Sequence, residues 1–153
     1  MNPECKDRGN PINQKIKVLF GIYRDAIKHL AISESEFWIW YTLVTTNEAY
    51  TQQDICSTWS LPKQTVNTVI THMRIKKLAY LEAIPGTRNR KLIRLTEEGR
   101  RHGEAIVLPV TQSEEKALAK ISPKELAAVT EIFDKYVNII RTEFNESLSP
   151  SLK

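Results

Sequence analysis

Residues 51–74 have the sequence TQQDICSTWSLPKQTVNTVITHMR, and this segment predicts two short helices joined by a tight turn. Thr51 and Asp54 have the spacing of a helix N-cap, and Pro62 suits the first position of a second helix. Ser60 occupies the turn position that glycine often holds. Helices that cross around such a turn need apolar residues at fixed offsets and a small residue where they approach. The residues that meet this need are Ile55, Cys56, Trp59, Leu61, Val66 and Val69.

The second helix of this pair is predicted to present a polar face. Amide, hydroxyl and basic groups at these positions suit a helix that lies in a DNA major groove, where such groups meet base edges and phosphates. We expect phosphate contacts from Thr51 and Arg74. We expect contacts with base edges from Lys63, Gln64, Thr65, Asn67 and Thr68. The alternative is an ordinary helical hairpin whose polar face is only solvated.

Two short strands are predicted directly downstream, at residues 80–84 and 91–96. A polar, basic hairpin tip at residues 85–90 joins them. A two-stranded antiparallel wing after a helix pair defines a winged helix-turn-helix. The predicted fold class is mainly α, because the wing is the only sheet expected. The residues expected to contact DNA from the wing are Arg88, Arg90 and Lys91.

Charge is distributed unevenly along the chain. Residues 62–101 hold ten basic and three acidic residues, although the net charge of all 153 residues is only +4. A basic middle between acidic flanks is typical of a nucleic-acid-binding surface. The competing function is a winged-helix module that uses the same face to bind a partner protein, because a fold does not determine a function.

Several other classes of protein are disfavoured by the sequence. No run of 18 apolar residues exists, so we expect no transmembrane helix and no membrane partner. The N-terminal residues lack the apolar core of a secretory signal, and two cysteines are too few for a disulfide framework, so we expect a cytoplasmic protein. The three histidines are scattered, and no catalytic motif is present. We therefore predict no enzyme activity, no metal and no cofactor.

The flanking segments are predicted to be helical. Residues 12–30 have helical spacing, Ser33 begins a second helix that is apolar almost all round and runs to about residue 48, and Thr96 begins a long helix that Pro109 should kink or break. A capping box at Ser122 begins the last helix. The predicted organisation is a flexible N-terminus (1–11) and a single domain (12–153), which contains the winged helix-turn-helix (33–100) and dimerisation helices (12–32 and 101–146).

A ligand pocket is predicted beside the second helix. Its candidate residues are His29, Trp38 and Tyr41. Aromatic residues in such an apolar helix are often core residues instead, and His29 could cap the first helix through its dipole.

The segments LIRLTEEGR, residues 92–100, and ISPKEL, residues 121–126, resemble the MarR family of bacterial transcription regulators. The order of elements resembles that family over residues 12–144. The resemblance implies a homodimer with interleaved first and last helices, bound to a pseudo-palindromic operator in double-stranded DNA. It also implies a repressor that is relieved by a small phenolic or other ligand, or by cysteine oxidation.

The wing departs from the family pattern. Family members commonly carry an aspartate with an arginine two residues later, and those places hold Thr87 and Asn89 here. Arg88 and Arg90 flank Asn89 and could supply the same positive charge. Cys5 resembles the sensing thiol of oxidation-responsive members only in being near the N-terminus, so we do not expect it to be reactive.

Overall fold

The computed structural model describes residues 10–46, 48–87 and 89–148. These residues form six α-helices and one antiparallel pair of strands, which confirms the predicted mainly helical fold with a two-stranded wing. The elements are α1 (Pro11–Ile27), a 3-10 turn (Lys28–Leu30), α2 (Glu34–Thr45), α3 (Gln52–Trp59), α4 (Lys63–Ile75), β1 (Ala79–Ala83), β2 (Lys91–Leu95), α5 (Glu97–Leu118) and α6 (Pro123–Leu148). The chain divides into two compact units within α5, after Thr111.

The core of the first unit forms around α2. This helix is apolar on nearly all sides, and such a helix is stable only when it is surrounded by protein. Residues from α3, α4 and α5 cover it. The largest fully buried side chains are Phe37, Ile39, Trp40, Ile55, Val66, Ile70 and Val107.

The wing is tied to the start of α3 by backbone pairing. β1 pairs with β2 in register from Ala79 opposite Leu95 to Ala83 opposite Lys91. Beyond this ladder, Thr51 forms a bridge with Leu92, and the Ile93 amide donates to the Tyr50 carbonyl at 2.8 Å. The residues just before α3 therefore act as a short third strand at the edge of the wing.

Helix starts follow the predicted caps. The Ser33 hydroxyl accepts the Glu36 amide at 3.1 Å, and the Thr96 hydroxyl accepts the Gly99 amide at 3.0 Å. Each of these bonds satisfies an amide that has no partner within its own helix. α1 begins at Pro11, with Asn10 as its cap, and residues 1–9 of the predicted flexible segment, Cys5 among them, lie outside the described residues.

The sequence predicts that Pro109 kinks or breaks the helix that begins after Thr96, and the break does not occur. The helix is continuous from Glu97 to Leu118 with Pro109 inside it. Proline lacks the amide hydrogen, but its restricted φ lies in the helical range, so the helix loses one hydrogen bond and can continue. Buried Ile106 and Val107 fix the preceding turn in the core.

The second unit contains the end of α5 and all of α6. The predicted capping box is present, because Glu125 accepts from both the amide and the hydroxyl of Ser122 at 3.0 and 2.6 Å. These bonds hold the pKa of the Glu125 carboxyl below its usual value. None of the residues of α6 is buried. Among the described residues, no helix has the length and apolar character that crossing a membrane requires.

Candidate nucleic-acid interface

The turn between α3 and α4 has the geometry that the sequence predicts. Ser60 adopts a left-handed conformation with φ of 51°, and the Leu61 amide donates to the Cys56 carbonyl at 3.1 Å. Ile55 and Val66 are fully buried where the two helices pack against each other. This packing positions α4 with one face toward the core.

The opposite face of α4 is polar and open to solvent. Val66, Ile70 and Met73 are buried and Val69 packs partly against the core, whereas Asn67, Thr68 and His72 are exposed. Among the predicted DNA contacts, Thr65 is half-buried. The exposed ones on this helix are Lys63, Gln64, Asn67, Thr68 and Arg74.

A basic groove of about 240 Å³ lies between the start of α4, the start of α3 and the base of the wing. Its lining includes three cations and no carboxylate. Four lining residues were not predicted as DNA contacts: Gln52, Gln53, Leu81 and Asn89. The glutamines belong to the segment of the capping box, Leu81 lies in the predicted first strand, and Asn89 lies in the hairpin tip at the position of the family's wing arginine. The full lining is Thr51, Gln52, Gln53, Lys63, Leu81, Asn89, Arg90 and Lys91. The structure thus brings Lys63, Arg90 and Lys91, predicted from two separate segments, into one site.

Thr51 has a different role from the predicted phosphate contact. It is 5% exposed, and its hydroxyl donates to Asp54 Oδ2 at 2.7 Å while accepting the Asp54 amide at 3.2 Å. Its own amide also donates to Asp54 Oδ2, at 2.8 Å. The Thr51 hydroxyl is therefore occupied by the cap of α3.

Asp54 connects this cap to the wing. Hydrogen bonds from the backbone and side chain of Thr51, with a smaller contribution from the Arg90 charge, hold the pKa of Asp54 below its usual value. The other carboxylate oxygen, Oδ1, lies 3.9 Å from Nη2 of Arg90. A separate ion pair joins the two strands, with Arg94 Nε 2.6 Å from Glu82 Oε2. The predicted wing contact Arg88 lies outside the described residues.

The aromatic residues of α2 and α3 form a cluster beside a second groove. Trp38 stacks on Trp59 with ring centres 4.3 Å apart, and Tyr41 lies edge-on to both rings. The Trp59 indole donates to the Thr42 hydroxyl at 2.7 Å. The structure therefore brings together two of the three predicted pocket residues, Trp38 and Tyr41.

This second groove has a volume of about 510 Å³. Trp38 lines it, whereas Tyr41 and the exposed His29 do not. The lining residues are Phe20, Glu34, Ser35, Trp38, Thr58, Trp59, Ser60 and Leu61. Across residues 10–46, 48–87 and 89–148, no group of three histidine, cysteine or acidic side chains could hold a metal ion.

Comparisons with known proteins identify the fold. No family model and no curated protein sequence matches the chain. The MarR family regulator NMB1585 from Neisseria meningitidis is 23% identical, with a TM-score of 0.76 over 88% of this chain and 94% of that one. MepR from S. aureus, in a DNA-binding conformation, is 18% identical, with a TM-score of 0.71 over 86% and 99%. BpsR from Bordetella bronchiseptica, whose DNA binding is regulated by 6-hydroxynicotinic acid, is 20% identical, with a TM-score of 0.60 over 87% and 94%. The chain therefore has the winged helix-turn-helix fold of solved MarR-family transcription regulators.

Proposed function

We propose that this protein is a DNA-binding transcription regulator of the MarR type, which acts in the cytoplasm as a repressor. The observation that carries the proposal is the polar face of α4 beside a groove with three cations. α4 would lie in a major groove with Lys63, Gln64, Thr65, Asn67 and Thr68 toward the base edges. Arg74 would contact phosphate, and Arg88, Arg90 and Lys91 would contact the flanking backbone or minor groove.

The proposed interface has the chemistry that duplex recognition needs. Among the described residues, Lys63 and Lys91 have no carboxylate within 4.0 Å, so their charges are available to phosphates. Amide side chains at Gln64 and Asn67 can donate to and accept from a base edge at the same time. Phosphate contacts supply affinity, and these amides supply discrimination between sequences.

The test is fluorescence anisotropy of the protein with three duplexes over a salt series. One duplex comes from the region upstream of the protein's own gene, one is selected by the protein from a random library, and one is scrambled. We expect tight binding to the selected duplex, weaker binding to the scrambled one, and affinities that fall steeply as salt rises. Equal binding to all duplexes would contradict sequence-specific recognition. Affinity that does not depend on salt would favour a protein partner instead.

We also propose that two chains form a homodimer through their terminal helices. Apolar residues recur on α6 with helical spacing, and Val129 and Ile132 are 63% and 65% exposed. A second copy of the same helix is the partner that a symmetric dimer supplies. Two winged units about one helical turn apart, ~34 Å, would then match the two halves of a pseudo-palindromic site.

We propose the second groove as the site of a small aromatic effector. Its volume lies in the range of small-molecule sites, and the Trp38–Trp59 pair offers an apolar wall with polar groups at Ser35 and Thr58. Regulation of BpsR by 6-hydroxynicotinic acid supports this class of ligand. Titration with 6-hydroxynicotinate should change tryptophan fluorescence and weaken duplex binding in the wild-type protein. In a Trp59→Leu variant, 6-hydroxynicotinate should no longer weaken duplex binding. If it weakens binding as much as in the wild-type protein, the effector binds elsewhere.

A further inference from the structure

Arg90 differs from the other two cations of the basic groove because a carboxylate already faces it. Its Nη2 lies 3.9 Å from Asp54 Oδ1, and the two side chains are 63% and 41% exposed. An exposed ion pair of this kind is weak, so a competing anion can displace the carboxylate. A DNA phosphate oxygen offers the guanidinium the same kind of acceptor that Asp54 offers.

The position of Asp54 is fixed independently of Arg90. Its Oδ2 accepts two hydrogen bonds from Thr51, whose backbone is in turn bridged to β2 at Leu92. The carboxylate is therefore held at the base of the wing whether or not the arginine is in contact with it. The ion pair therefore limits the motion of the Arg90 side chain, whereas the hydrogen bonds from Thr51 already hold the Asp54 carboxylate in place.

We propose that Asp54 attenuates DNA binding by competing with DNA phosphates for Arg90. This inference rests on the proposed DNA-binding function. Sequence-independent binding comes mainly from phosphate contacts, so a carboxylate that occupies one wing cation lowers affinity for every duplex. On a selected site, the base contacts of α4 hold the duplex in register, and Arg90 then exchanges Asp54 for phosphate. Because the ion pair with Asp54 must be broken before Arg90 can reach a phosphate on any duplex, Asp54 weakens DNA binding without improving discrimination between sequences.

The test compares the wild-type protein with Asp54→Asn on a scrambled duplex. Asparagine keeps an oxygen that can cap α3 but lacks the charge that holds Arg90. We expect Asp54→Asn to bind the scrambled duplex about two- to fivefold more tightly at low salt. The slope of log affinity against log salt should steepen by about 0.9, because one more cation reaches a phosphate. The selected duplex should gain affinity by at least the same factor, because Arg90 must also leave Asp54 to reach a phosphate there.

Two controls separate this mechanism from a general charge effect. Asp25→Asn makes the same change in net charge at another exposed ion pair, Lys28–Asp25, and should leave affinity unchanged. Arg90→Gln combined with Asp54→Asn completes a double-mutant cycle, in which the Asp54 effect should disappear. An Asp54 effect that persists without Arg90, or an equal effect of Asp25→Asn, would overturn the proposal.

A measurement without DNA keeps this inference separate from the proposed function. The heteronuclear NOE of the Arg90 Nε–H group should fall in Asp54→Asn, because the side chain loses its restraint. An unchanged NOE overturns the restraint of Arg90 by Asp54. If the wild-type protein binds no duplex at any salt concentration, the proposed function fails, and the proposed effect of Asp54 on DNA affinity fails with it. A reduced NOE in Asp54→Asn would still establish that Asp54 restrains Arg90.

Discussion

Gly99 illustrates how a single residue positions a helix in this protein. It lies at the start of α5, next to the chain segment between α4 and β1. A β-carbon built at Gly99 would lie 1.8 Å from the carbonyl oxygen of Leu78 and 2.7 Å from its carbonyl carbon. The Thr96 hydroxyl adds a hydrogen bond to the Lys77 carbonyl at 2.9 Å. Close backbone approach at Gly99 thus attaches α5 to the segment that joins α4 to the wing.

We expect Gly99→Ala to lower the free energy of unfolding by at least about 2 kcal/mol, because the added methyl group can be accommodated only by moving backbone. Urea denaturation followed by circular dichroism measures this change. Gly21→Ala is the matched control, since nothing lies within 4 Å of a β-carbon there. Because Gly21 lies inside a helix, replacing it by alanine should raise the free energy of unfolding by about 0.5–1 kcal/mol. Equal effects of the two variants would contradict the close approach at Gly99.

We also expect single residues to determine which DNA sequences the protein prefers. Replacing Gln64 or Asn67 by alanine should cost about 1–3 kcal/mol on the selected duplex and little on a scrambled one, because the amides contact bases rather than phosphates. Anisotropy titrations of both duplexes measure the two affinities. Gln112→Ala, at an exposed glutamine of α5, serves as the control. Equal weakening on both duplexes would show that the amides do not contact bases.

At the scale of elements, the caps determine where helices begin, and local sequence rules predict them well. Ser33, Thr51, Thr96 and Ser122 each cap the helix that the sequence assigns to them. These contacts span three residues, so a pattern in the sequence is sufficient to identify them. The left-handed turn at Ser60 follows from the same kind of local rule.

The contacts that the sequence does not predict are those between distant segments. The bridge from Thr51 to Leu92 and the ion pair from Asp54 to Arg90 join residues about forty positions apart, and hydrophobic periodicity carries no information about such pairings. α5 continues through Pro109 for a related reason, because packing of Ile106 and Val107 outweighs the local preference of proline. The phosphate contact predicted for Thr51 overlooked that the residue which caps α3 is also buried against the wing.

The cap of α3 should make stability depend on pH. The pKa of Asp54 is lowered in the folded state, so its stabilising contribution is fully present above the ordinary value of 3.8 and is lost as pH falls through the lowered folded pKa. We expect the Tm of the wild-type protein to exceed that of Asp54→Asn at neutral pH, and the difference to narrow below pH ~4. Thermal melts from neutral to acid pH measure this difference. A constant difference across the range would contradict the role of the ionised carboxylate.

At the scale of the whole molecule, α6 exposes large apolar side chains along much of its length. A dimer would bury these side chains and would fix the separation of two DNA-binding units. Buried residues are absent from α6, although Phe133, Ile139 and Phe144 are large and apolar. Contiguous exposed apolar surface marks sites of protein association.

We expect Ile132→Glu to shift the protein from dimer toward monomer, because the variant places a charge in the apolar interface. Sedimentation velocity measures the shift. Lys135→Glu, at an exposed polar position of the same helix, is the control and should leave the dimer intact. A wild-type protein that is monomeric at all concentrations, or a dimer that Ile132→Glu does not weaken, would contradict the proposed interface.

The stacked pair of Trp38 and Trp59 has a spectroscopic consequence. Two indole rings 4.3 Å apart and inclined by 22° couple their electronic transitions, and the coupling depends steeply on separation and angle. One ring belongs to α2 and the other to α3, so the near-ultraviolet circular dichroism of the protein reports the distance between these two helices. Any displacement of α3 that accompanies DNA or effector binding can therefore be followed in real time without attaching a label.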